Sequence, residues 1–254
     1  MIRNFDGKPM KIKKNGVIYP VDVELKEENG QDVLYISTKA KFLDLTMYEY
    51  ENIDVWRKAI LDGFREWSGE YNVFGDQPLI VKVDVRETDK ITDCIFVTCV
   101  DEEMSEELQD TYGKLKLEKA ERIFKQDRSF ASAGLPVLGW KTYLPRLICM
   151  LPHTLNDFQQ ARITAKHEFG HVLGLGDLYK DLENGLCGLP GAKYSDISKY
   201  YIGNSFFDMV MCNNGPVRNN DIEMVLLAFQ TNKFQNYQVV KKTDRVSEAL
   251  GKGN

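Results

Sequence analysis

The sequence has no excess of positive charge, no long apolar run, few cysteines and very few histidines. Its 254 residues carry 33 Lys and Arg against 38 Asp and Glu, a net charge of −5. With no surplus of cations to neutralise phosphates, nucleic-acid binding is not expected. The longest apolar stretches are strand-sized, short of the ~20 residues that a membrane span needs, so no membrane partner is expected either. Met1-Ile2-Arg3-Asn4-Phe5-Asp6-Gly7-Lys8 offers no apolar core and no small-residue cleavage site. That predicts no signal peptide and a cytoplasmic location, with leaderless export as the other route. The five cysteines, Cys94, Cys99, Cys149, Cys187 and Cys212, are odd in number and contain no CxxC. They read as buried small hydrophobes in a reducing compartment, and a Cys187–Cys212 bridge would go with export. Internal repeats and Pro/Ser-rich linkers are also missing.

What is present is ordinary globular composition, 43% apolar and 28% charged, in a chain long enough to bury a core without staples. Val21 to Leu25 alternates apolar and polar residues, and Asp32 to Ser37 continues in strand-forming residues after Glu28-Asn29-Gly30-Gln31. Asn-Gly between two such runs predicts a hairpin. Ile53 to Tyr71 places Val55, Trp56, Ile60, Phe64 and Trp67 at helical spacing. Pro78 to Val83 and Cys94 to Val100 read as strands of a buried sheet, and after a turn region at Gly134 to Gly139 the run Leu147 to Leu151 is strand-like. Ser105 to Lys125 reads as a solvated helix. A further helix is expected from Asn156 to Leu173, with Asn156 and Gln159 as a capping box and Gly174 and Gly176 as its stop. Lys180 to Ser205 reads as a long functional loop, and Asn219 or Asn220 caps a last helix from Asp221 to Gln230. The expected class is α+β.

Two of the three histidines stand in His167-Glu168-Phe169-Gly170-His171. Four residues along a helix advance ~6 Å and turn ~40° past one revolution, so His167 and His171 project from one face. Two neutral imidazoles so placed suit a single Zn²⁺, and Glu168 beside them suits a general base toward a water at the metal. A catalytic zinc takes a third protein ligand and keeps one open position. Gly174 tolerates the positive φ of a sharp turn, and Asp177 follows three residues later. Asp177 is therefore the leading third ligand, its other reading being a cap of the turn Asp177-Leu178-Tyr179-Lys180. His153, Asp181 and Glu183 are its rivals. No NExxD-type second helix follows that would bring a distant glutamate ligand. Structural Ca²⁺ is possible but not indicated: no EF-hand loop is present, and carboxylates on separate loops are the other way to form such a site.

The segment from His167 to Asp177 spells HExxHxxGxxD, which resembles the metzincin zinc-peptidase signature with Asp in the third ligand position, as in the snapalysin-like variant. About thirty residues on, Asp208-Met209-Val210-Met211-Cys212-Asn213-Asn214-Gly215 resembles the methionine turn of that clan, with Met211 as its methionine and Met209 as the alternative. Asn213 stands where astacin-type members carry a tyrosine. The resemblance implies a zincin fold. That fold has a small mixed twisted sheet with an edge strand over the cleft, a long backing helix, the HExxH helix as cleft floor and a C-terminal helix. On this basis residues 51–254 form the catalytic domain and residues 1–50 a β-hairpin extension packed on it, together one compact unit. Metal ligands would be His167, His171 and Asp177, and the catalytic base Glu168. A peptide or protein substrate would pair with the edge strand at Leu147, Cys149 and Leu151, with Pro216 and Val217 walling a pocket. The implied function is a monomeric zinc endopeptidase. The alternative is a zincin-fold binding module that keeps zinc with vestigial catalysis.

Overall fold

The computed structural model describes residues 13–14, 17–18, 21–43, 53–73, 77–100, 106–107, 110, 130–132, 147–150, 157–176 and 209–231. Strands β1 (Lys13–Lys14) and β2 (Val17–Ile18) form a small antiparallel pair. A hairpin of β3 (Val21–Glu28) and β4 (Gln31–Leu43) follows, turning at Asn29 and Gly30 with φ of 52° and 79°. Positive φ at both central residues is the two-residue turn that suits strand twist, and it explains the Asn-Gly choice. Helix α1 (Ile53–Arg65) leads to β5 (Gly69–Tyr71), β6 (Leu79–Glu87) and β7 (Ile95–Cys99). Then come β8 (Phe130–Ser132), β9 (Leu147–Met150), helix α2 (Phe158–Val172), the single turn α3 (Val210–Asn213) and helix α4 (Asn219–Thr231). The expected α+β class is what the chain adopts. No helix among the described residues is long and apolar enough to cross a membrane.

Among the described residues seven strands make one mixed sheet in the order β5-β6-β4-β7-β9-β8, with β3 paired to β4. β6, β4, β7 and β9 run parallel, while β5, β8 and β3 join antiparallel. The N-terminal hairpin contributes to this sheet, since β4 pairs β3 and β6 along its first part and β7 at residues 40–43. One sequence expectation is corrected here. Leu147–Met150 is not the edge strand, because β9 lies between β7 and β8, and among the described residues β8 is the strand on that rim. All four β9 residues are buried. A short apolar run without alternation belongs to a strand covered on both faces, whereas strands on a rim carry polar or charged residues.

The alternation of β3, β4 and β6 divides the sheet into two faces. Val21, Val23, Leu25, Leu34, Ile36, Val81 and Val85 join one core cluster with Ile60, Phe64 and Trp67 and with residues of α2 and α4. The opposite face over these strands is polar: Tyr35 donates to Glu28 at 2.5 Å, and Lys82 reaches Glu28 at 3.2 Å and the Tyr35 hydroxyl at 3.0 Å. α1 stops at Arg65, earlier than its apolar spacing predicts, and its Val55 is exposed. Its stripe is completed by Trp67 in the following turn, which is fully buried.

Helices α1 and α2 meet at Gly63, where a Cβ would press into the Arg162 carbonyl and lie 3.1 Å from Ala165 Cβ. Glu66 pairs with Arg162 and, at 3.1 Å, with the buried Lys166, which ties the same contact at its edge. Phe64 and Phe169 stack with ring centroids 4.8 Å apart.

Two outcomes follow from this packing. Gly63→Ala places a methyl against backbone that cannot swing aside, so the urea midpoint should fall, corresponding to about 1–3 kcal/mol; the better helix propensity of Ala offsets only part of this. Burial, and secondarily the charge of Asp221, push the Tyr71 hydroxyl from 10.0 up to about 12. The folded state then holds the phenolic proton longer than the unfolded chain. Stability should therefore be intact below pH 10 and decline by about 1–2 kcal/mol between pH 10 and 12, solvent screening included. Urea titrations across that window should show the decline in the native protein and lose it in Tyr71→Phe.

Candidate metal centre

Helix α2 starts one residue later than its sequence suggests. The N-cap is Asp157, in extended conformation, and its side chain accepts from the Gln160 backbone N–H at 2.6 Å. Asp is as good a cap as Asn, and the geometry selects the residue whose carboxylate reaches the third N–H of the helix. At the other end Gly174 has φ of +94°, the left-handed conformation that a glycine takes without strain. The turn is closed by Leu173 N–H to Phe169 O at 2.8 Å, Gly174 N–H to His171 O at 3.0 Å and Leu175 N–H to Gly170 O at 3.0 Å.

Between these ends His167, Glu168 and His171 are all buried, at 4%, 4% and 9% exposure. The two imidazole centroids are 5.1 Å apart, with the rings nearly perpendicular at 79°. Each ring is oriented by a backbone carbonyl. His167 Nδ1 lies 2.7 Å from Val210 O, and His171 Nδ1 lies 2.8 Å from Leu175 O. A carbonyl only accepts, so both Nδ1 atoms carry the proton, and the neutral rings then present a lone pair at Nε2. That is the tautomer and the second contact that metal-ligating histidines use. Glu168 Oε2 stands 4.0 Å from His171 Nε2. The donor chemistry of this pair therefore fits a divalent transition metal.

Asp177 lies one position past Gly176 and outside the described residues, as do His153, Asp181, Glu183 and Cys187. Among the described residues no group of three His, Cys, Asp or Glu side chains is arranged to hold a metal ion.

The methionine segment packs under the same helix. Met209 and Met211 are both buried, at 2% and 0% exposure, and α3 ends at Asn214, left-handed with φ of 58°. Gly215 N–H returns to Met209 O at 3.4 Å. This turn touches α2 twice: Val210 gives its carbonyl to His167, and the Met211 sulfur lies where a Cβ on Gly170 would have to go. Met211 is thus the methionine set against the turn that separates the two histidines.

The expected substrate residues fare differently. Leu147 and Cys149 are 1% and 0% exposed in a strand paired on both sides, so their backbone is not open to a peptide. Burial pushes the Cys149 thiol well above its usual range, with Cys99 and then Glu168 adding to the effect. It is a core thiol. Leu151 lies outside the described residues. Pro216 is exposed, and Val217 packs partly buried against the core. What sequence reasoning missed are the orienting carbonyls of Val210 and Leu175, which have no side-chain signature. It also counted Trp67 only as a helix-face residue. Comparisons with protein families, with curated proteins and with solved structures give no match.

Gly170 is confined from two sides, by Met211 and by the Trp67 ring 2.9 Å from its would-be Cβ. Gly170→Ala should therefore lower stability by about 1–3 kcal/mol despite the flexibility of methionine, measured as a lower urea midpoint with unchanged slope.

Proposed function

We propose that this chain is a zinc-dependent endopeptidase with a metzincin-like fold. His167 and His171 would hold the ion through Nε2, Asp177 would supply the third ligand, and Glu168 is the general base. The observation that carries this reading is the pair of buried imidazoles on one helix face, each with its Nδ1 proton committed to a backbone carbonyl. A structural role would not need both rings to commit the same nitrogen, Nδ1, and leave Nε2 beside a buried carboxylate. The HExxHxxGxxD and methionine-turn resemblance supports the same reading, as does the order of strands, HExxH helix, methionine turn and last helix.

Zinc, when bound, supplies Lewis acidity toward a peptide carbonyl and toward water. Glu168 takes the proton of the attacking water and hands it to the departing amine. Its burial keeps competing solvent away from that carboxylate. The carbonyls of Val210 and Leu175 keep both imidazoles oriented. Among the described residues β8 pairs with β9 alone, which supports an extended substrate adding at that rim rather than along Leu147–Met150.

Metal analysis and proteome-wide cleavage mapping of native protein against Glu168→Gln test this. Both proteins should carry one zinc, and chelator-sensitive cleavage should drop by about 10²-fold or more in the variant. Undiminished cleavage by Glu168→Gln removes the mechanism. Zinc binding by the native protein with no cleavage of a broad peptide library replaces the peptidase by a zinc-bearing binding module.

A further inference from the structure

Trp67 contacts the residue that precedes each of the two histidines. Its indole N–H donates to the Lys166 carbonyl at 2.9 Å, fully inside the protein and 99 positions away in sequence. That carbonyl belongs to the peptide that joins Lys166 to His167. The benzo edge of the same ring faces Gly170, the residue before His171, so closely that a Cβ there would lie 2.9 Å from it. A helix carbonyl at this position is already available to the N–H of its own helix four residues on, and its second lone pair can take the indole. One rigid side chain therefore fixes one peptide plane by a directed bond and the neighbouring turn by contact. Met211 presses on Gly170 as well, so the helix is gripped at the point that separates the two rings.

We propose that Trp67 is a positioning residue for the zinc site, setting the rotation of α2 so that His167 and His171 present Nε2 to one ion. This rests on the metal-site reading above. A tryptophan that merely filled the core would need only apolar neighbours. This one spends its single polar group on the peptide that carries His167, and its ring requires a glycine next to His171. Metal affinity depends steeply on how ligands are oriented, typically 10–100-fold for an orienting group.

The test compares zinc affinity, by competition with a chromophoric chelator, and urea stability of the metal-free protein in three forms: native, Trp67→Phe and Ile36→Ala. Ile36 is an equally buried core residue on β4. Imidazole ¹⁵N spectra of the metal-free protein, with only three histidines to assign, report the tautomer independently of any metal. Trp67→Phe should bind zinc at least tenfold more weakly and show a mixed tautomer at His167, while Ile36→Ala keeps zinc affinity within about twofold at a comparable loss of stability. Replacing Trp67 by 3-benzothienylalanine keeps the shape without the N–H. It should also weaken zinc binding, and it serves where the phenylalanine variant does not fold. Native-like zinc affinity in both Trp67 replacements, or a parallel loss in Ile36→Ala, overturns the positioning role. A native protein that binds no zinc overturns the metal-site reading itself.

Discussion

Two hydrogen bonds from imidazole Nδ1 to backbone carbonyls are the constraint around which the site is organised. Rings on a helix are free to turn about χ2, and either nitrogen of a neutral imidazole can carry the proton. The carbonyls of Val210 and Leu175 remove both freedoms. They come from different sources: one is supplied by the segment after Met209, the other by the helix's own C-terminal turn through the left-handed Gly174. A glycine at 174 and a tight turn at 209–215 are therefore requirements of ring orientation as much as of chain direction.

The rest of the fold supplies the rigidity those bonds need. The helices share one core with a single face of the sheet, and α2 is approached closely at two glycine contacts, by Gly63 from α1 and by Trp67 and Met211 at its own Gly170. Interiors packed this closely transmit small displacements rather than absorb them. The Glu66 bridge to Arg162 and Lys166 lies at the edge of the first contact. Partly solvated, it contributes modestly to stability and mainly fixes how the two helices are set along each other.

Much of this was legible in the residues. Asn29-Gly30 gave the hairpin turn, the Val21–Leu25 alternation gave the buried face of β3, and Gly174 marked the helix end by the φ it alone tolerates. The shift of the N-cap from Asn156 to Asp157 was not legible, because adjacent Asn and Asp are equivalent caps and only the backbone geometry chooses between them. The sheet order was missed for a different reason. Leu147–Met150 announces burial, but which strands lie to either side of it depends on distant pairing that local pattern does not encode. Orienting carbonyls belong to every residue alike, so Val210 and Leu175 carried no mark. Trp67 carried the mark of a core aromatic, and its indole bond depends on a helix far away in sequence.

The two orienting carbonyls also differ in how far the chain must close to reach them. His171 meets Leu175 across 4 positions, while His167 meets Val210 across 43. The nearer contact can form as soon as the helix end turns, at little entropic cost; the farther one must await closure of the chain over ten times that separation. During synthesis, one ring would be oriented while the other still turned freely. The two become a matched pair only when the C-terminal segment reaches the helix.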